Sequence, residues 1–154
     1  MLSRPTTQQI LLDCRHELLT TIDAALTDPA AKVAIQMLEN VLRNCAERAA
    51  HEIAWMHEEA DSMISFAEAL AATAATDDRV AAALAAYREH RRPSLHLDDV
   101  VVTYSLASEC LSAALEAAVA AGDSPSETAG RAVLRQRLAH EQQIMGEWTF
   151  VGRG

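Results

Sequence analysis

The sequence predicts an all-α protein, an antiparallel bundle of about five helices built on one long second helix. Three observations predict it. From Ala30 to Arg92 the chain contains neither glycine nor proline, the residues that most often interrupt a helix. Within that span apolar side chains recur every seven residues, at Ile35, Leu42, Ala49, Met56, Met63 and Leu70, a period that stays on one face only in a helix. No strand pattern competes, because the one β-branched run, Val100-Val101-Val102, lies inside an amphipathic helical window.

The elements follow from their start and stop signals. Thr6 and Gln9 have capping-box spacing, so helix one begins there and runs to about Leu26. Ile10, Cys14, Leu18, Ile22 and Ala25 form its expected inner face. Thr27-Asp28-Pro29 stops it and restarts the chain with proline at the first helical position. The second helix then runs from about Pro29 to Ala72, about 65 Å at 1.5 Å per residue. A domain of this length has a radius of gyration of only about 15 Å, so this helix must overhang its fold, break, or lie against something else. Thr76-Asp77-Asp78 is the best break, because Asp and Thr cap well. A short third helix ends near His90, before the turn Arg91–Ser94 and Pro93. Helix four covers about Asp98 to Ala121, with Val101, Tyr104, Leu111, Ala114 and Ala118 inward and Gly122 at its C-terminal cap. Ser124-Pro125-Ser126-Glu127 caps helix five, which runs to about Trp148 with Leu134, Leu138, Met145 and Trp148 inward. The whole chain, 1–154, reads as one domain with a frayed tail from about residue 150.

Composition narrows the function. Half the residues are apolar but only 4% are aromatic, so the expected core is alanine, leucine, valine and methionine. Alanine forms helix well and lets helix axes approach closely. A net charge of −9 with one lysine, Lys32, argues against nucleic acid and against an anionic membrane surface. No charge-free apolar run is long enough to suggest a membrane span, and the N-terminus lacks signal-peptide character. Cys14, Cys45 and Cys110 are odd in number and far apart. They read as buried free thiols of a cytoplasmic protein. No zinc-type cysteine spacing, nucleophile elbow or phosphate-cradling glycine loop is present, and no cofactor is expected.

Three groups of residues invite chemistry. The second helix carries Glu52 and Glu59 at positions that should face its seam with Leu38, Cys45 and Phe66, and Glu141 interrupts the apolar stripe of helix five. A carboxylate in an apolar seam is costly unless paired. Arg48 and Arg137, each one turn from an acid, are the candidate partners. With His51 these six residues form a candidate polar seam for a partner. Second, Glu47, His51, Glu58 and Asp61 lie near one line of the second helix and are the residues to consider for a metal. The Glu-x-x-His pattern of carboxylate di-iron bundles is absent, however, and a solvated charged face is the favoured reading. Third, Arg88, His90, Arg91, Arg92 and His96 make the chain's only basic concentration, a candidate anion site for a phosphate, a carboxylate or the nucleotide end of coenzyme A.

Two stretches carry a family resemblance. Arg4-Pro5-Thr6 with the helix Gln9 to Leu19 resembles the opening of a family of small helical bacterial proteins with no assigned activity. Met37 to Met56, read as Leu-x-x-Val-Leu-x-x-x-x-x-Arg-Ala-Ala-His-Glu-Ile-Ala-Trp-Met, is similar to that family's central helix. The resemblance implies a companion of aminoglycoside-phosphotransferase-like kinases, which phosphorylate hydroxyacyl-CoA substrates in pathways shared with acyl-CoA dehydrogenase-like enzymes. The expected function is a non-catalytic accessory or interaction subunit, a homo-oligomer or a companion of such a kinase. The alternatives are a metal- or ligand-binding bundle with its own activity and a helical module sensing acyl-CoA.

Overall fold

The computed structural model describes residues 4–73 and 78–146. The fold is all-α, with five helices and no strand among the described residues. Helix α1 is three consecutive pieces, an α-helical Thr7–Glu17, a π-helical Leu18–Ile22 and an α-helical Asp23–Ala25. Helix α2 is Pro29–Ala71, α3 is Asp78–His90, α4 is Leu97–Ala121 and α5 is Ser124–Met145. The chain divides into two compact units, one of residues 1–52 with 141–154 and the other of residues 53–140.

Local sequence explains most boundaries. The Thr6 hydroxyl accepts from the Gln9 backbone N–H, and the Gln9 side chain accepts from the Thr6 N–H, the expected reciprocal cap. Asp28 caps α2 by accepting from the N–H groups of Ala30 and Ala31. Gly122 ends α4 in the left-handed region at φ 64°, where a side chain would be strained. One cap differs. Asp123, not Ser124, starts α5: its carboxylate accepts from the Ser126 N–H and hydroxyl. A carboxylate at a helix N-terminus also meets the positive end of the dipole. The proposed break at Thr76-Asp77 and the inward placement of Trp148 fall outside the described residues, as does the tail.

In the unit of residues 53–140 the core is continuous. Ala60, Met63, Phe66, Ala67 and Leu70 of α2 pack with Val80, Leu84 and Tyr87 of α3 and with Ala107, Cys110, Leu111, Ala114, Ala117 and Ala118 of α4. The alanine run on α4 permits close helix approach. So does buried Gly130 on α5, where an added Cβ would fall against Leu115 Cδ2 and lie 3.0 Å from Phe66 Cζ. By length and composition α4 could cross a membrane, yet its inward residues are the centre of this core.

Two expected faces are corrected here. On α5, Leu134 and Leu138 are 42% and 50% exposed, while Gly130 is buried and Val133 packs on the core. The packed side of α5 follows its small residues, because they admit the neighbouring helices closest. Tyr104 of α4 is partly buried, but Val101 turns to solvent.

In the unit of residues 1–52 and 141–154, an ion pair ties α1 to the first half of α2. Arg15 Nε donates to Glu39 Oε1 at 2.5 Å. Arg43 reaches the Met145 carbonyl at 3.1 Å, a cation at the negative end of α5. Little else is enclosed. Leu18, Ile35 and Ala46 are its buried residues among those described. The expected inner face of α1 is therefore corrected: Ile10, Cys14 and Ile22 are exposed and Leu18 alone is buried. Cys45 is exposed as well, so of the three thiols only Cys110 is buried. Burial pushes the Cys110 thiol up to about 11. The seven-residue repeat of α2 splits in the same way. Ile35, Met63 and Leu70 are buried, Leu42 and Met56 are half-buried, and Ala49 is exposed.

Candidate functional site

The most organised polar feature lies within residues 53–140 and joins three helices. Glu59 on α2 is only 6% exposed. Its Oε2 accepts from the Tyr104 hydroxyl of α4 at 2.5 Å, and its Oε1 meets Nδ1 of His140 on α5 at 2.7 Å. Arg137, one turn before His140, donates from Nε to the Tyr104 oxygen at 3.0 Å and stands 3.6 Å from Glu59 Oε2. Its guanidinium also lies 5.5 Å from the centre of the Tyr104 ring. Trp55, one turn before Glu59, stacks on the His140 ring with centroids 4.6 Å apart and planes 5° apart. The spacings i,i+4 on α2 and i,i+3 on α5 are what place each pair on one face.

The buried carboxylate thus has each oxygen hydrogen-bonded and a cation beside it, which is what makes an ion in an apolar setting tolerable. With Glu59 ionised, the proton on Nδ1 of His140 points at it, which fixes the imidazole tautomer. Carboxylate and imidazole resemble the orienter and base of a catalytic array. Through Glu59 the cluster joins three helices, a clamp across α2, α4 and α5. Burial and the neighbouring Glu59 push the Tyr104 hydroxyl up to about 12. Its protonated form is thus favoured by folding, and the associated stability is complete below pH about 10 and disappears as pH rises through about 12. In a Tyr87→Phe background, phenolate absorbance is expected to titrate near 12 in the folded protein and near 10 after urea unfolding. A folded-state midpoint at the unfolded value would contradict the clamp.

No family model, no curated protein and no solved structure matches this chain.

The structure brings together Glu59 and Arg137 of the sequence-derived seam. Arg48 and Glu52 pair with each other along α2 at 2.6 Å, and His51 lies 3.8 Å from Glu47. Glu141 is exposed, on a stripe that is itself exposed, so it is not a core acid. Arg137 therefore answers Glu59 on another helix rather than Glu141 one turn away. Tyr104, His140 and Trp55 complete the cluster and were not marked as its members by sequence. The recoverable signal was Glu59 itself, an acid where the apolar repeat demands a core residue.

The other candidates stay dispersed. Glu58 and Asp61 are exposed, and among the described residues no three His, Cys, Asp or Glu side chains converge to hold a metal. In the basic group, Arg88 pairs with Glu68 at 2.8 Å and Arg92 with Asp99 at 2.8 Å. His90 lies 3.9 Å from Glu89. The Arg92 guanidinium and the Ser94 hydroxyl hold the Asp99 carboxyl below the usual carboxylate range. The Arg92 backbone also exchanges hydrogen bonds with the Thr103 hydroxyl. Arg88 thus ties α3 to Glu68 of α2, Arg92 ties the turn after α3 to the start of α4, and both meet carboxylates rather than presenting an open anion cradle, while Arg91 and His96 are exposed. A shallow cavity of about 360 Å³ beside Arg88 is lined mainly by alanine and leucine.

Proposed function

We propose that the chain is a non-catalytic accessory subunit, whose work is to bind another polypeptide. One observation carries this reading. Within residues 1–52 the helices expose Ile10, Leu12, Leu19 and Ile22 of α1 and Val33, Met37, Leu38 and Val41 of α2. Val33, Met37 and Val41 follow at four-residue spacing with Leu38 beside them, so they form one stripe. Met37 is 67% exposed, and no charged residue lies between Lys32 and Glu39. Large exposed apolar patches of this kind mark interaction surfaces, and depletion of charge is characteristic of interface cores. The clamp around Glu59 fits the same reading, since it holds helices together without offering a reactive group. The resemblance in Arg4–Leu19 and Met37–Met56 makes a phosphotransferase-like kinase acting on hydroxyacyl-CoA the partner we propose, in the cytoplasm.

The test is purification of the untagged chain from its own cells. The expected result is a second, kinase-like polypeptide in stoichiometric amount, released by Met37→Glu with Val41→Glu while helix content is unchanged. A chain that stays alone and monomeric through every step rejects the reading.

A further inference from the structure

We propose that Met37 is an oxidation site whose sulfoxide keeps the chain from joining its partner. The proposal rests on the accessory-subunit reading and adds regulation to the same surface. Among the described residues, Met37 is the most exposed large apolar residue on α1 or α2. It stands in the middle of the stripe, with Val33 and Val41 one turn away on either side and Leu38 next to it. Peroxide reaches a thioether only where solvent does, so exposure ranks the methionines. Met63 is fully buried and Met56 is half-buried. Met145 is exposed, but on another helix, at the end of α5.

The chemistry is a two-electron oxygen transfer. The sulfur lone pair attacks a peroxide oxygen, the S–O bond forms as the O–O bond breaks, and water leaves. A methionine sulfoxide reductase reverses it with a dithiol, which becomes a disulfide while the oxygen departs as water. The product is polar where the thioether was apolar, and the stripe has little to offer it. No charge lies between Lys32 and Glu39, and helical spacing turns both of those away from Met37. The Asn40 amide, one turn on, is engaged at both its nitrogen and its oxygen, by the Gln36 carbonyl at 3.1 Å and by Arg43 at 2.9 Å. In the isolated chain water solvates the sulfoxide. Under a partner it is buried among Val33, Leu38 and Val41. Burying a polar group without a hydrogen bond is costly, so the dissociation constant should rise by about tenfold or more. Oxidation therefore acts on the chain before assembly, and the covered sulfur is protected afterwards.

The test is rebinding of the full-length chain, treated with hydrogen peroxide and then freed of it, to the untreated polypeptide that co-purifies with it. Cys14 and Cys45 are exposed thiols, so every chain compared carries Cys14→Ser and Cys45→Ser. The expected result is Met37 sulfoxide by peptide mass ahead of Met56 and Met63, unchanged helix content, and the weakened binding above. Methionine sulfoxide reductase should restore the affinity. A Met37→Leu chain should bind nearly as well as the parent, since this swap conserves volume, and peroxide should leave its binding unchanged. An oxidised chain that binds with parental affinity overturns the proposal, as does a Met37→Leu chain that peroxide weakens equally, which would move the effect to Met145 or elsewhere. In both of these cases a partner is still bound and the accessory-subunit reading stands. A chain from which no partner is ever recovered overturns both together.

Discussion

Replacing Glu59 by alanine is expected to lower the unfolding free energy by about 2–3 kcal/mol, since removing one partner of a buried ion pair strands the other. The figure is set below the full cost of a sealed pair because the Arg137 and His140 side chains are 28% and 18% exposed, so water reaches them when the carboxylate goes. The Tyr104 hydroxyl loses its acceptor at the same time. Glu59→Gln should cost less, because the amide oxygen can still accept from one donor while the charge is lost. Urea denaturation of both variants measures the difference. A Glu59→Ala protein within about 0.5 kcal/mol of the parent, the range of ordinary surface changes, would show that the clamp contributes little.

Met63→Ala should be at least as damaging, with an expected loss of about 3 kcal/mol from lost burial plus the cavity left behind. Met63 is fully buried between α2 and α4. Its sulfur lies 3.6 Å from the Ser108 hydroxyl, which keeps a 3.0 Å bond to the Tyr104 carbonyl when the thioether is removed. No orphaned donor therefore adds to the cost, and the effect isolates packing. For a chain of this size it corresponds to a drop in Tm of about 6–12 °C, readable by calorimetry. Met37→Ala, the same change on the exposed stripe, should leave the isolated chain's stability nearly unchanged.

Local rules carried the helices well. The Thr6–Gln9 cap, the start at Pro29, the uninterrupted α2 and the glycine stop at Gly122 each depend on residues within one turn of one another. The same kind of local rule marked Glu59, an acid in a seven-residue apolar repeat, but it marked Glu52 equally, which is half-buried and pairs with Arg48 on its own helix. What failed depended on packing between helices. The leucines of α5 carry its strongest apolar signal, yet its packed side is set by Gly130 and the close approach of Phe66 and Leu115, which no periodicity encodes. Arg137 had a near acid in Glu141 and took a distant one instead, because the buried carboxylate of Glu59 has more to gain from a cation. The start of α5 went to Asp123 rather than Ser124 because the carboxylate binds both the Ser126 N–H and its hydroxyl. The apolar face of α1 was visible in the sequence, but nothing in the sequence said that this chain leaves most of it exposed.

The claim beneath the functional reading is that another polypeptide covers the stripe through Met37. Peroxide oxidation, read methionine by methionine, tests it in the native assembly purified from its own cells. Met63, enclosed by its own chain, serves as the protected reference. Met37 is expected to oxidise slowly in that assembly, like Met63, and rapidly once the chain is isolated. Met37 oxidising in the native assembly as fast as in the urea-unfolded chain would contradict it.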